Sequence, residues 1–214
     1  MTGPLVIVAI RNIFRRLNCT TMKKLKALQT LQASGKKVFT SADLQKILQT
    51  KSDTYSYVMA GKLVKEGVLE RVSKGYYILI SNRPSDFEIA NALYRPSYIS
   101  LESALNYYGI LVQSPQQITS VTTKRVTSIK NEGKTFSFVQ ITPKYFSDYQ
   151  VVDNFLIATP EKALVDMMFT VALGRASLSI EELNLQSIDK NKVNELASKI
   201  KNKAFKNYYK TIKL

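Results

Sequence analysis

Histidine and tryptophan are absent from this chain, and Cys19 is its single cysteine. Without histidine, the usual general base near neutral pH is missing, and so is the commonest metal ligand. One thiol excludes a disulfide within the chain and any Cys/His zinc cluster, and it fits a reducing compartment. Long apolar runs are lacking too. The stretch PLVIVAI (4–10) falls far short of the ~20 apolar residues that span a bilayer. Its positive charges, Arg11, Arg15 and Arg16, come after the run, the reverse of a secretory signal. The expectation is a cytoplasmic protein without a membrane segment. Residues 1–21 are then either a packed extension or an artefact of the start site, with translation beginning at Met22.

Acidic residues are scarce: 16 against 31 basic ones, a net charge of +15 and a pI near 9.8. The surplus is uneven. Residues 1–80 hold 14 basic and 4 acidic side chains, residues 81–189 hold 9 and 11, and residues 190–214 hold 8 and 1. Two basic ends around a near-neutral middle suit a polyanion, since each Lys or Arg set on a phosphate releases a condensed counterion. Solubility or a lysine-rich coding bias gives the same totals. With 45% hydrophobic and 22% charged residues, the 214-residue chain is globular in composition and long enough for one large domain or two small ones.

Toward the N-terminus, residues 22–33 place Leu25, Leu28 and Leu31 at helical spacing before a Ser34-Gly35 stop. Thr40 and Asp43 have the spacing of an N-cap and its reciprocating acid, which predicts a short helix with Leu44, Ile47 and Leu48 facing inward. A second helix is predicted from Asp53 to Glu66. Centring its buried face on Leu63 puts Ser56, Met59 and Ala60 on the same side. Thr54, Tyr57, Val58, Gly61 and Lys65 then face outward.

An outward tyrosine and valine suit a helix that enters a major groove, where Thr54 and Tyr57 could reach base edges or phosphates and Val58 a thymine methyl. Gly61 costs helix stability, ~1 kcal/mol relative to alanine, and leaves room for close backbone approach. The same face would equally serve packing on the N-terminal extension or on a partner subunit. Gly67 ends the helix, and VLERV with SKGYYIL reads as a β-hairpin carrying Arg71 and Lys74 at or near its tip. Helix, helix and basic hairpin in this order predict a winged helix-turn-helix over 22–82. Its DNA-contacting set is Ser52, Thr54, Tyr57, Val58, Gly61, Lys62, Arg71 and Lys74.

The segment 81–85 (SNRPS) is the predicted linker. Beyond it, Ser100 can cap a helix with Leu101, Ala104, Leu105 and Tyr108 on one side, closed by Gly109. Period-two runs at 118–122, 135–141 and 155–158 read as strands, with a hairpin turn at Asn131-Glu132-Gly133 between two of them. Thr159 and Pro160 open a helix whose buried face is Leu164, Met167, Met168 and Val171, ended by Gly174. Ser179 and Glu182 have capping-box spacing.

From about Lys190 one amphipathic helix is expected. Its apolar stripe is Val193, Leu196, Ala197, Ile200 and Ala204. A lysine stripe runs beside it through Lys199, Lys203, Lys206, Lys210 and Lys213. These lysines, with Lys124 and Arg125, are candidates for contact with nucleic acid or a partner protein; a solvated face with lysine stems covering the apolar seam is the plainer alternative. The fold class is therefore α+β, with the N-terminal winged helix-turn-helix followed by an α+β domain over 83–214 ending in a Lys-rich helix.

On these segments the chain resembles the AbiEi antitoxins of type IV toxin–antitoxin pairs, first linked to abortive phage infection. VFTSADL and LVKEGVLERVSKGYYIL carry the N-terminal likeness. PSYISLESALNYYGIL, SPQQITSVTTKR and IATPEKALVDMMF carry the more distinctive C-terminal one, together spanning about 36–172. Residues 1–21 depart from the family's usual start. The resemblance implies a winged-helix domain that represses its own operon on inverted repeats in double-stranded DNA. It also implies a C-terminal domain needed to neutralise a co-encoded nucleotidyltransferase toxin, with or without direct contact, and monomers in solution that pair on DNA.

A winged-helix regulator without a toxin partner is the alternative. An enzyme is the third class: Asp148, Asp153, Glu161 and Asp166 supply carboxylates, but none has metal-site spacing, and helix-dipole effects already account for Glu161. No catalytic residue, metal or cofactor is expected.

Overall fold

The computed structural model describes residues 24–50, 52–177 and 182–212. The expectations placed on residues 1–21, Ser179 and Lys213 lie outside the described residues. The chain divides into two compact units, Met1–Pro84 and Ser85–Leu214, and the division falls inside the 81–85 segment. Both helix and sheet are present in each, an α+β protein. Among the described residues no helix is long and apolar enough to cross a membrane.

In the first unit, helix α1 (24–33) precedes β1 (Val38–Thr40), α2 (Ser41–Ile47), α3 (Asp53–Lys65), β2 (Leu69–Ser73) and β3 (Tyr76–Leu79). The strands form a three-stranded antiparallel sheet in the order β1-β3-β2. Thr40 caps α2 as its sequence predicts: its hydroxyl accepts from the Asp43 amide at 3.1 Å, while the Asp43 carboxylate accepts from the Thr40 amide at 2.9 Å. Gly67, with φ +70°, closes α3 in a conformation that side chains with a Cβ rarely adopt. Leu31, Phe39, Leu44, Leu63, Leu69 and Tyr77 are fully or almost fully buried together. Removing any one leucine of such a cluster typically costs about 2–5 kcal/mol, on the order of half a small domain's stability. Leu25 departs from its expected stripe and is 55% exposed, since Ala27, Leu28 and Leu31 are the positions of α1 that meet the core.

The second unit holds α4 (Asp86–Leu93), β4 (Ser97–Ile99), α5 (Leu101–Tyr107), β5 (Ile118–Thr122), β6 (Thr127–Asn131), β7 (Lys134–Gln140), β8 (Tyr149–Val152), β9 (Phe155–Ala158), α6 (Pro160–Ala172), α7 (Lys190–Ser198) and α8 (Lys203–Thr211). Its mixed six-stranded sheet runs β6-β7-β5-β4-β9-β8. The turn at Asn131–Gly133 joins β6 to β7, whereas β5 and β7, the two strands read from the sequence on either side of it, pair in parallel. β6 is silent in the sequence because its Thr-Ser-Ile-Lys-Asn residues lie on a sheet edge, half-exposed or exposed throughout, and carry no apolar alternation.

Thr159 accepts from the Lys162 amide at 3.3 Å, Pro160 occupies the first turn, and every residue of α6 from Glu161 to Thr170 is buried. The helix is enclosed by α5, α7, α8 and β9. The single C-terminal helix expected from the heptad-like pattern is two helices. Asn202 breaks it by accepting the Phe205 amide at 3.0 Å, while the Lys201 amide leaves the helical ladder to donate to the Tyr145 hydroxyl at 3.0 Å. Phe205, not Ala204, is then the buried position of α8, and Ala204 is exposed.

Candidate functional site

Helix α3 presents a face made of the predicted residues. Ser56, Ala60 and Leu63 are buried against the core, while Thr54, Tyr57, Val58, Gly61 and Lys65 are on the outer side. Tyr57 is 51% and Val58 63% exposed, which for apolar bodies of this size on one helix makes a patch open to solvent. The position where a Gly61 Cβ would stand is open, with nothing within 4 Å.

Ser52 is the N-cap of α3 and accepts the Tyr55 amide at 3.3 Å, so its hydroxyl already serves the fold. The helix start is further tied by a Thr50–Ser56 hydroxyl pair and by Ser56 donating to the Ser52 carbonyl at 3.1 Å. Thr54 and Tyr57 line a shallow depression with Ser41, Ala42 and Asp53, so one carboxylate stands among the hydroxyls. Lys62 is on the adjacent flank, 3.9 Å from Glu66, and lines a groove with Tyr55 and Met59 instead of joining Tyr57.

The hairpin places its two basic residues at different points. Lys74 occupies its turn beside Gly75, whose φ of +78° shapes that turn, and is exposed. Arg71 is near the tip, two residues before the end of β2. It pairs with Tyr77 in the ladder, its Nε donates to the Ser73 carbonyl at 3.4 Å, and its guanidinium lies 5.8 Å from the centre of the Tyr57 ring. A register shift between Arg71 and Ser73 turns the strand there. The cation over the ring ties hairpin to helix and sets a positive charge beside the exposed face.

In the second unit the sequence candidates are scattered. Lys124 and Arg125 sit in the turn between β5 and β6; the Lys124 amine lies 5.5 Å from the Tyr94 ring centre, and the Tyr94 hydroxyl donates to the Arg125 carbonyl at 3.1 Å. Lys199 bonds to Glu195 at 2.7 Å, and this partner is the main reason its pKa is raised. Lys203, Lys206 and Lys210 are exposed on α8, separated from Lys199 by the helix break. No single stripe joins them.

A constellation that sequence reasoning missed lies inside this unit. The Asp166 carboxylate accepts from Tyr98 and Ser100 hydroxyls, each at 2.9 Å, and from the Lys162 amine at 2.5 Å. The ion-pair side chains are 3% and 1% exposed. Burial pushes the Asp166 carboxyl above its ordinary value against the pull of Lys162 and the two hydroxyls, and burial likewise raises Tyr98 well above the usual phenol range. Ser100, expected to cap α5, occupies the cap position but donates its hydroxyl to Asp166.

Three stretches meet here: β4, the start of α5 and α6. They are the segments SYIS and EKALVD. Two signals in the sequence point to them: Lys162 and Asp166 are four apart on a largely apolar helix, and Tyr98 and Ser100 are two apart in extended backbone at the end of β4. Sealed from solvent, the cluster holds sheet to helix and offers no path for a substrate.

Among the described residues no group of three or more His, Cys, Asp or Glu side chains is placed to hold a metal ion. No protein-family model and no curated protein matches the chain.

Proposed function

We propose that the first unit is a winged helix-turn-helix that binds operator DNA, with α3 in the major groove and the β2–β3 hairpin as a wing on the flanking backbone. The observation that carries this reading is the exposed Thr54–Tyr57–Val58–Gly61 face of α3 with the Arg71 guanidinium beside it. Thr54 and Tyr57 supply hydroxyls for base edges or phosphates, Val58 an apolar contact for a thymine methyl, and Lys74 a cation for a phosphate. The Arg71–Tyr57 contact keeps wing and recognition helix at a fixed angle, so that groove and backbone contacts form together. The basic surplus of residues 1–80 favours a polyanion over a protein surface as the partner.

Together with the resemblance of the C-terminal segments, this supports reading the protein as an AbiEi-type antitoxin. It represses its own operon on inverted repeats and counteracts a co-encoded nucleotidyltransferase toxin. No catalytic role is assigned to its residues.

Electrophoretic mobility shifts on the upstream inverted repeat test the repressor half. Wild-type protein is expected to give a specific shift that weakens steeply with salt. Tyr57→Ala combined with Lys74→Ala should lose about 1–3 kcal/mol for the base contact and reduce the salt slope by about 1. A double variant binding as tightly as wild type ends this half of the proposal. Co-expression with the adjacent toxin gene tests the other half, where persistent growth arrest would count against an antitoxin.

A further inference from the structure

The six-stranded sheet of the second unit has two edges, and they are built differently. At one edge, β6 exposes Ser128 and Lys130, and Lys124 and Arg125 precede it. A lysine on an edge strand is a standard guard against pairing with a foreign strand. At the other edge, β8 reads Tyr149-Gln150-Val151-Val152 with no charge, and among the described residues its single neighbour in the sheet is β9. Tyr149 is 40% and Val151 70% exposed, both on one face by the two-residue period of a strand.

Stacking on Tyr98, with ring centres 5.0 Å apart, and contact with Phe146 at 5.4 Å hold Tyr149 in place. Beside these residues runs a groove of about 690 Å³ lined by Phe146, Tyr149, Val151 and Phe155, with Arg95 and Asp153.

We infer that β8 is a docking edge for an extended segment of a partner protein, which adds as a seventh strand and seats an apolar side chain in the neighbouring groove. An unpaired main-chain edge is satisfied by another extended chain, and the neighbouring groove, where Asn91, Ser97 and Asn154 stand among the apolar side chains, selects among such chains by side chain. A second copy of this protein is the poorer occupant. Full antiparallel pairing of two β8 strands sets Tyr149 against Val152 and brings Asp148 toward Asp153, each just outside the paired residues, so that like charges approach at both ends. Neither aspartate has a cation within salt-bridge distance among the described residues. The segment that fits thus alternates apolar residues and carries Lys or Arg just outside its paired stretch. This inference concerns the second unit alone and stands whether or not the first binds DNA.

The test is amide chemical-shift mapping on the ¹⁵N-labelled full chain with a synthetic peptide of about ten residues, alternating valine and threonine with lysine at each end. Saturable shifts centred on residues 148–153 are expected. Binding should weaken about tenfold when glutamates replace the terminal lysines, and vanish when alternate peptide amides are N-methylated. Val151→Lys should abolish the shifts while the unfolding midpoint stays put. Should that variant misfold, the N-methylated peptide on the unaltered protein discriminates in its place. The proposal is overturned by the absence of β8 shifts at millimolar peptide, by equal shifts on β6, or by self-association of the unliganded protein through β8.

Discussion

The two units place their polar and apolar residues in opposite ways. In the first, the core is wholly apolar apart from Ser56 and Tyr77, and large side chains such as Tyr55, Tyr57 and Val58 stay in solvent on α3. In the second, charged and hydroxyl groups are taken inside: Lys162, Asp166, Ser100 and Tyr98 bond to one another between sheet and helix. An exposed apolar face costs the folded state little and is available for contact. A buried ion pair contributes little net stability but makes the loss of either partner expensive. Substitutions of Tyr57 or Val58 on the exposed face should therefore leave folding of the first unit nearly unchanged, whereas substitutions in the buried cluster should move folding of the second.

The largest effect expected is that of Asp166→Ala, which strands a buried ammonium. It should destabilise the second unit by about 3–5 kcal/mol in chemical denaturation, while replacing both partners, Lys162→Met with Asp166→Leu, should recover part of it, the Tyr98 and Ser100 hydroxyls still lacking their acceptor. Equal losses for the single and double variants would dissolve the contrast.

Next is Thr40→Ala, which removes the α2 cap and should cost the first unit about 1 kcal/mol, read from the denaturation midpoint. Gly61→Ala should do the reverse and raise the first unit's stability by up to about 1 kcal/mol. If α3 enters a groove closely, the added methyl should weaken operator affinity even so. Gains in both stability and affinity would remove close backbone approach from the picture.

The smallest effect separates the units by pH. Burial raises Asp43, but hydrogen bonds from Lys36 and Thr40 outweigh it, so its folded pKa lies below the unfolded value. Its contribution is present above the unfolded value near 3.8 and is lost as pH falls through the lower folded value. Asp166 is shifted the other way, so its cost to folding grows as pH rises through the window above 3.8 and relaxes on acidification. Asp43→Asn should flatten the acid limb of the first unit, measured by unfolding between about pH 5 and pH 2.

Local chemistry made much of this legible in advance. Thr40, Thr159, Gly67 and Pro160 act within a few residues of where they stand, and they mark helix ends in the sequence as they do in the structure. The outward face of α3 was legible from periodicity around Leu63. Features that depend on distant partners were not. β6 exists because β7 is beside it, and Ser100 abandons its cap because Asp166 waits 66 residues away. The C-terminal lysine stripe dissolves for a related reason: Tyr145, far upstream, takes the Lys201 amide and supports the break before α8. The contact of Arg71 with the Tyr57 ring likewise joins hairpin to helix across fourteen residues, where no local pattern announces it.

The sealed Lys162–Asp166 pair has a bearing on how this protein can change over generations. Each partner alone is a poor replacement target, because one mutation leaves the other charge without company in the interior. A lineage that trades the pair for apolar residues must cross an intermediate that folds badly or change both codons in one step. Related chains should therefore carry both residues or neither, and the mixed combinations should be rare.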